Sequence, residues 1–201
     1  KYDVQTPTAY EEVDDGAAAS LSSNFVGNYL DNNAIQYTSP SFDIMAGMTI
    51  TADIEYAPQA NDTATADGGA SASSTYNEGR SLGLTIAGNG AKIGVYGAER
   101  ASGDNDAATL DQFDGVWYAN YSFGPVSVGY SESYVDRGLE VAGEANTVNK
   151  DVGVAGGIFT SDTMSIAFNV NDNLSLSYAK SDDVYDAQAS NTAESTVVAD
   201  V

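Results

Sequence analysis

The stretch Met164–Lys180, MSIAFNVNDNLSLSYAK, states the rule of the chain twice around one tight turn. Met164, Ile166, Phe168 and Val170 alternate with Ser165, Ala167 and Asn169; past Asn171-Asp172-Asn173, Leu174, Leu176 and Tyr178 alternate with Ser175, Ser177 and Ala179. A period of two marks a strand with unlike faces. Asn and Asp accept the positive φ that a short turn demands, so the segment reads as a hairpin whose apolar faces fall on one side of a sheet. The fold is decided by the medium that this apolar side meets.

Working outward, the same rhythm recurs. Ile35 and Tyr37 oppose Ala34, Gln36 and Thr38, and Ser39-Pro40-Ser41 breaks the run because proline cannot donate to a ladder. Met48, Ile50, Ala52, Ile54 and Tyr56 face one way, with Thr49, Thr51, Asp53 and Glu55 opposite. Leu82, Leu84 and Ile86 lead into Gly88-Asn89-Gly90, a strong hairpin signal, and Ile93, Val95 and Gly97 return, with Lys92, Tyr96 and Arg100 on the other face. Trp117, Ala119, Tyr121 and Phe123 run to Gly124-Pro125, and Val126, Val128 and Tyr130 come back. Ile158, Thr160, Asp162 and Met164 keep one parity, so Ser161-Asp162-Thr163 is crossed by a single long strand.

This pattern predicts about eight strands, near 33–39, 47–58, 80–87, 91–101, 114–123, 125–135, 152–170 and 174–181. Short turns are expected at 40–46, 88–90, 124 and 171–173, and long loops at 59–79, 102–113 and 136–149. Residues 1–32 lack either period and read as a long loop, and Ser181 to Val201 read as another. Short turns at one end and long loops at the other are the asymmetry of an up-and-down transmembrane β-barrel.

Composition agrees with a chain that has no conventional core. Hydrophobic residues make up 42%, spread evenly, with 20 glycines. No run approaches the ~18 apolar residues of a membrane-spanning helix, and no basic-then-apolar signal opens the chain. Cysteine and histidine are both absent, which excludes disulfides, thiolate or imidazole metal sites and any nucleophile served by a histidine base; no enzyme activity is expected. Seven basic against 29 acidic residues give a formal charge of −22, which repels phosphate backbones, attracts cations and makes nucleic acid an improper partner.

Three phrases carry a family resemblance. Asn32-Asn-Ala-Ile-Gln-Tyr-Thr-Ser-Pro-Ser-Phe42 resembles the strand that follows the constriction loop of general porins of Gram-negative bacteria, Val170-Asn-Asp-Asn-Leu-Ser-Leu-Ser-Tyr178 resembles one of their periplasmic hairpins, and Phe123-Gly-Pro-Val-Ser-Val-Gly-Tyr130 is similar to a third such turn. In pattern the resemblance spans 32–182. It implies a homotrimer of barrels of about sixteen strands in the outer membrane, in contact with lipid and lipopolysaccharide, with about five strands before this chain and about three after it. Residues 1–32 then correspond to the loop folded into the pore, and 33–201 to barrel wall. The chain departs from the family in lacking a Pro-Glu-Phe-Gly phrase in 1–32 and a dense arginine ladder.

The candidate constriction residues follow. Glu11, Glu12, Asp14 and Asp15 are either constriction acids or a solvated acidic surface. Asp53, Glu55, Lys92 and Arg100 have inward parity; the two bases either oppose the acidic loop across the pore or balance Asp53 and Glu55. Tyr37, Tyr56, Trp117, Phe123, Tyr130, Phe168 and Tyr178 have outward parity and are expected to form an aromatic girdle at the lipid–water boundary. Asp104, Asp106, Asp111 and Asp114 are weak calcium candidates whose spacing departs from the calcium-loop pattern, so a solvated loop is the plainer reading and no cofactor is expected. Gly88–Gly94 misses the dinucleotide fingerprint and is a turn, and Asn61, Asn120 and Asn173 head glycosylation triplets by chance.

The leading expectation is a passive, water-filled channel for small hydrophilic solutes and ions, with cation preference. The alternatives are a plugged outer-membrane adhesion or structural barrel, and a soluble secreted calcium-binding β-protein.

Overall fold

A computed structural model describes residues 2–3, 25–26, 30, 34–60, 76–102, 111–136, 158–171, 173–186 and 195–200. Among them the strands are β1 (Tyr2–Asp3), β2 (Phe25–Val26), β3 (Ile35–Thr38), β4 (Phe42–Met45), β5 (Met48–Ala57), β6 (Tyr76–Gly88), β7 (Ala91–Ser102), β8 (Gln112–Phe123), β9 (Val126–Asp136), β10 (Ile158–Asn171), β11 (Leu174–Asp186) and β12 (Ser195–Asp200). No α-helix occurs among the described residues. β1 and β2 pair with each other. All the others form one antiparallel sheet in the order β12-β11-β10-β9-β8-β7-β6-β5-β3, with β4 also on β5. Since β3 and β4 share the free side of β5, they are two pieces of one edge strand, and the sheet is nine strands wide, up and down throughout.

The first departure from the sequence reading is at that edge. The predicted turn at 40–46 is instead a continuation: the chain crosses Ser39-Pro40-Ser41 without leaving β5 and turns only at Ala46-Gly47. A proline on a sheet edge forfeits no ladder bond. Ser39 bridges the gap, its N–H donating to the Ala52 carbonyl at 2.8 Å and its Oγ accepting the Ala52 N–H at 2.9 Å.

The second departure is at the C-terminal end. Instead of a loop from Ser181, β11 runs on to Asp186 and β12 pairs with it from Ser195 to Asp200, so nine strands replace the expected eight. Apolar alternation fades there because Asp182, Asp183 and Asp186 take strand positions, and backbone pairing persists without it. β6 also begins at Tyr76, earlier than expected, where Asn77 accepts the Ala60 N–H and donates its side chain to the Ser102 carbonyl at 3.0 Å. β10 does pass unbroken through Ser161–Thr163, from Ile158; residues 152–157 of the predicted strand lie outside the described residues.

The tight turns β4–β5, β6–β7, β8–β9 and β10–β11 share one end of the sheet, and the connections 58–75, 103–111, 137–157 and 187–194 share the other. Ala46 and Gly47 have φ of 50° and 76°, and Asn89 and Gly90 have 51° and 81°, the paired positive values of the type I′ hairpin turn. The two turns are tied together, with Asn89 Nδ2 donating to the Ala46 carbonyl at 2.6 Å.

Which face is sheltered follows from exposure. Ile54, Leu82, Val95, Ile93, Ile166 and Leu176 are exposed, whereas Glu55, Ser81, Arg100, Asp114, Ser131, Ser181 and Asp183 are buried. This is the inverse of a sheet folded in water.

Candidate functional site

The polar face is built from the inward positions of each strand, and its residues are small: Ser, Thr, Gly and Ala dominate, with a few charges and tyrosines. It divides into two zones along the strands. Near the tight turns, Thr49, Thr51, Thr85, Lys92, Asn120, Ser127, Ala167 and Ser177 are half-exposed and Ser122, Asn169 and Ser175 are exposed. Toward the long connections the same strands carry Glu55, Ser81, Tyr96, Tyr118, Ser131, Ser133, Thr163, Ser181 and Asp183, all buried.

At the divide, two tyrosines lie flat across the wall. Gly83 faces Tyr96 across β6–β7 and Gly94 faces Tyr118 across β7–β8. A Cβ at either glycine would fall well inside the ring of its tyrosine, so the missing side chains are what admit the rings. The rings stack 6.2 Å apart at 21°, Lys92 Nζ stands 5.6 Å from the Tyr118 centroid, and the Tyr96 and Thr85 hydroxyls are hydrogen-bonded.

Above the divide lies a dense polar cluster. Arg100, 1% exposed, donates from Nε to Gln112 Oε1 at 2.9 Å and from its terminal nitrogen to the Ala60 carbonyl at 3.0 Å, while its guanidinium lies 3.4 Å from the Tyr76 ring centroid. Gln112 in turn donates to Asp114 Oδ1 at 3.1 Å, and Ser81 donates to Glu55 Oε2 at 3.3 Å. On β10–β11, Thr163 donates to Ser181 Oγ at 3.2 Å, and Ser181 donates to Asp183 Oδ1 at 2.8 Å. A buried guanidinium held by carbonyls and a ring face is fixed in place, which suits a wall better than a group that must move.

The sequence-predicted residues are distributed over this face. Asp53 is half-exposed and accepts a hydrogen bond from Thr38 Oγ1 at 2.5 Å; Glu55 and Arg100 lie in the sheltered zone; Lys92 stands at the divide. Glu11, Glu12, Asp14 and Asp15 lie outside the described residues, as do Asp104 and Asp106. Asp111 accepts the Ser102 N–H at 2.8 Å and Asp114 is buried against Gln112, and no acidic group fit to hold a metal occurs among the described residues. Of the aromatic set, Tyr37, Tyr56, Trp117, Phe123, Phe168 and Tyr178 are exposed on the apolar face and Tyr130 is half-exposed there.

Sequence reasoning put Tyr96 on this face beside Lys92 and Arg100 but gave it no role, and it singled out none of Tyr118, Tyr76, Gln112 and Leu30. The tyrosine pair had a legible signal, since each faces a glycine at the same inward parity on the preceding strand. Leu30 had none. It is fully buried on the polar face, in a cluster with Ala57, Ala60, Tyr96, Ala98, Val116 and Tyr118.

On the apolar face, charge begins at a definite level. Arg80 and Glu99 form an ion pair on β6–β7; Glu132, Asp162 and Asp182 fall in one register row on β9–β11; Lys180 Nζ bonds Asp182 at 2.6 Å. Trp117 Nε1 donates to Glu132 Oε2 at 2.8 Å and Tyr130 Oη to Glu132 Oε1 at 2.7 Å, the two rings 5.4 Å apart. No family model, curated protein or solved structure matches the chain.

Proposed function

We propose that the sheet is wall of a transmembrane β-barrel of a Gram-negative outer membrane, one copy of a homotrimer, and that its polar face lines a passive, cation-preferring path for small hydrophilic solutes and ions. The observation that carries this reading is the inverted exposure of the two faces: leaving one large apolar side chain in water forgoes about 1.5–3 kcal/mol of burial, and the apolar face repeats that on each strand from β3 to β11. Lipid removes the cost. The described strands β5–β11 run from 10 to 14 residues, enough for the ~9–11 that a tilted strand needs to cross.

The level at which outward charge begins supports the same reading. It passes obliquely through the register, from the Arg80–Glu99 pair on β6–β7 to Glu132 and Asp162 four residues nearer the turns on β9–β10, and to Lys180 beyond them on β11. A flat membrane surface meets tilted strands in that way. Trp117 and Tyr130, apolar in body and bonded to Glu132 at their tips, mark the boundary as interfacial aromatics do.

A plugged barrel is the second reading, favoured by the burial of Arg100, Ser131, Ser181 and Asp183 on the polar face. Reconstitution of the intact protein into planar bilayers separates the two. Discrete conductance steps with a cation-directed reversal potential are expected of the channel; partitioning into the bilayer without conductance identifies the plugged barrel, and detergent-free solubility defeats both.

A further inference from the structure

On the apolar face, where outward charge begins, β8, β9 and β10 form a hollow of about 440 Å³ whose lining includes Phe113, Gly115, Trp117, Glu132, Tyr134 and Asp162. Gly115 faces Tyr134 across β8–β9 and Gly97 across β7–β8, so its missing side chain opens the floor. A Cβ there would already stand 3.3 Å from Phe113 Cε1, and a longer side chain would fill the space. Phe113 and Tyr134 sit 6.3 Å apart at one end, and Trp117 lies at the other, four residues or roughly 13 Å along the strand.

Two carboxylates stand at the rim of this aromatic hollow. Glu132 and Asp162 are directly opposite each other across β9–β10, a placement that costs stability for like charges, and neither pairs with a basic side chain among the described residues. Tyr130 donates to Glu132 Oε1 at 2.7 Å and to Asp162 Oδ1 at 3.4 Å, and Trp117 donates to Glu132 Oε2 at 2.8 Å. Hydroxyl and indole donors spread the negative charge without cancelling it. We infer that the hollow binds an alkylated ammonium group. Such a cation has few or no N–H groups to satisfy, is drawn to ring faces, and needs only the field of the two acids. A metal ion fits less well, since both Glu132 oxygens already accept hydrogen bonds and no acidic group fit to hold a metal occurs among the described residues. The site lies on the face opposite the proposed path and goes beyond conduction.

Trp117 is the one tryptophan of this chain and lines the hollow, so its emission reads occupancy. The intact protein is folded in maltoside detergent at about 0.15 M salt, which screens diffuse attraction to the acidic surface. A nitroxide carrying a trimethylammonium group should then quench the emission that is lost in Trp117→Phe saturably, at a concentration at least about tenfold lower than the same nitroxide carrying a hydroxyl. Gly115→Leu changes no charge and should abolish the saturable component. Asp162→Asn should weaken it about threefold or more, while Asp43→Asn, an exposed acid beside the tight turns, should leave it unchanged.

Equal quenching by the two nitroxides overturns the inference, and so does unchanged saturable quenching in a Gly115→Leu protein whose sheet persists by far-ultraviolet circular dichroism. If that variant loses its sheet, unchanged affinity in Asp162→Asn overturns it equally. Tetramethylammonium and dodecyltrimethylammonium should both displace the nitroxide: a lower requirement for the dodecyl compound assigns the site to the headgroup of an amphiphile, an equal one assigns it to a dissolved ion, and displacement by magnesium instead of either overturns it. The measurement needs neither conductance nor a closed barrel, so this inference and the channel reading fail separately.

Discussion

The two faces of this sheet differ less in their alternation than in the size of what alternates. On the apolar face, Ile93, Phe113, Trp117 and Leu176 are large and exposed; on the polar face, Gly83, Ser131, Ser133 and Ala179 are small and covered. Alternation defines two faces and does not say which is inside. Size does, because small inward residues let chain approach the wall closely, while large outward ones need a medium that welcomes them. The contrast teaches that the polar face is the more sheltered of the two although it is the more hydrophilic.

The largest test of that contrast is a charge placed on either face. Leu84→Arg or Ile166→Arg should cost roughly 2–4 kcal/mol of stability in lipid, while Thr51→Lys or Ser177→Lys should be nearly neutral, measured by urea unfolding from vesicles. Equal costs would mean that the two faces do not differ in the medium they meet, and reversed costs that they have been exchanged. Ser165 is a poor choice for the mild arm, since it is buried and a lysine there would have to displace its neighbours.

A smaller effect should come from closing the gap that admits a tyrosine. Gly94→Val should cost about 1–3 kcal/mol by overpacking against Tyr118, and clearly less in a Tyr118→Ala background. Additive losses would show that the ring does not rest on the glycine. Smaller again is Trp117→Phe, which removes the indole N–H from Glu132 and should cost about 0.5–1.5 kcal/mol; in Glu132→Gln the same change should cost less.

The last test leaves stability aside. Neutralising Glu11, Glu12, Asp14 and Asp15 together should lower the cation preference of reversal potentials more than neutralising Asp104, Asp106 and Asp111, because acids that the sequence assigns to a long connection are screened beyond a Debye length of ~8–10 Å. Equal shifts would remove residues 1–32 from the constriction.

Much of the wall was legible because period two survives wherever large apolar residues face outward, as from Met48 to Tyr56 and Met164 to Tyr178. It was illegible where backbone pairing continues without that signal. Ser39-Pro40-Ser41 looked like a turn because proline breaks interior ladders, but the strand is at an edge; β12 was missed because acids precede it. Parity placed Asp53, Glu55, Lys92 and Arg100 on the polar face, and it could not foresee that Arg100 would be buried against Tyr76 and Gln112. Those contacts depend on register between strands, which a single strand's pattern does not contain.

The order of pairing has a consequence for assembly. Every strand in the main sheet lies beside its neighbour in sequence, so no crossover has to be threaded and each closure spans one connection. Closure entropy grows only as the logarithm of that length, so even 137–157 adds little over a tight turn. The sheet is thus modular by hairpins: severing the backbone within 58–75, 103–111 or 137–157 yields pieces that each keep their own turns, and whose only loss is an edge that the other piece restores on mixing.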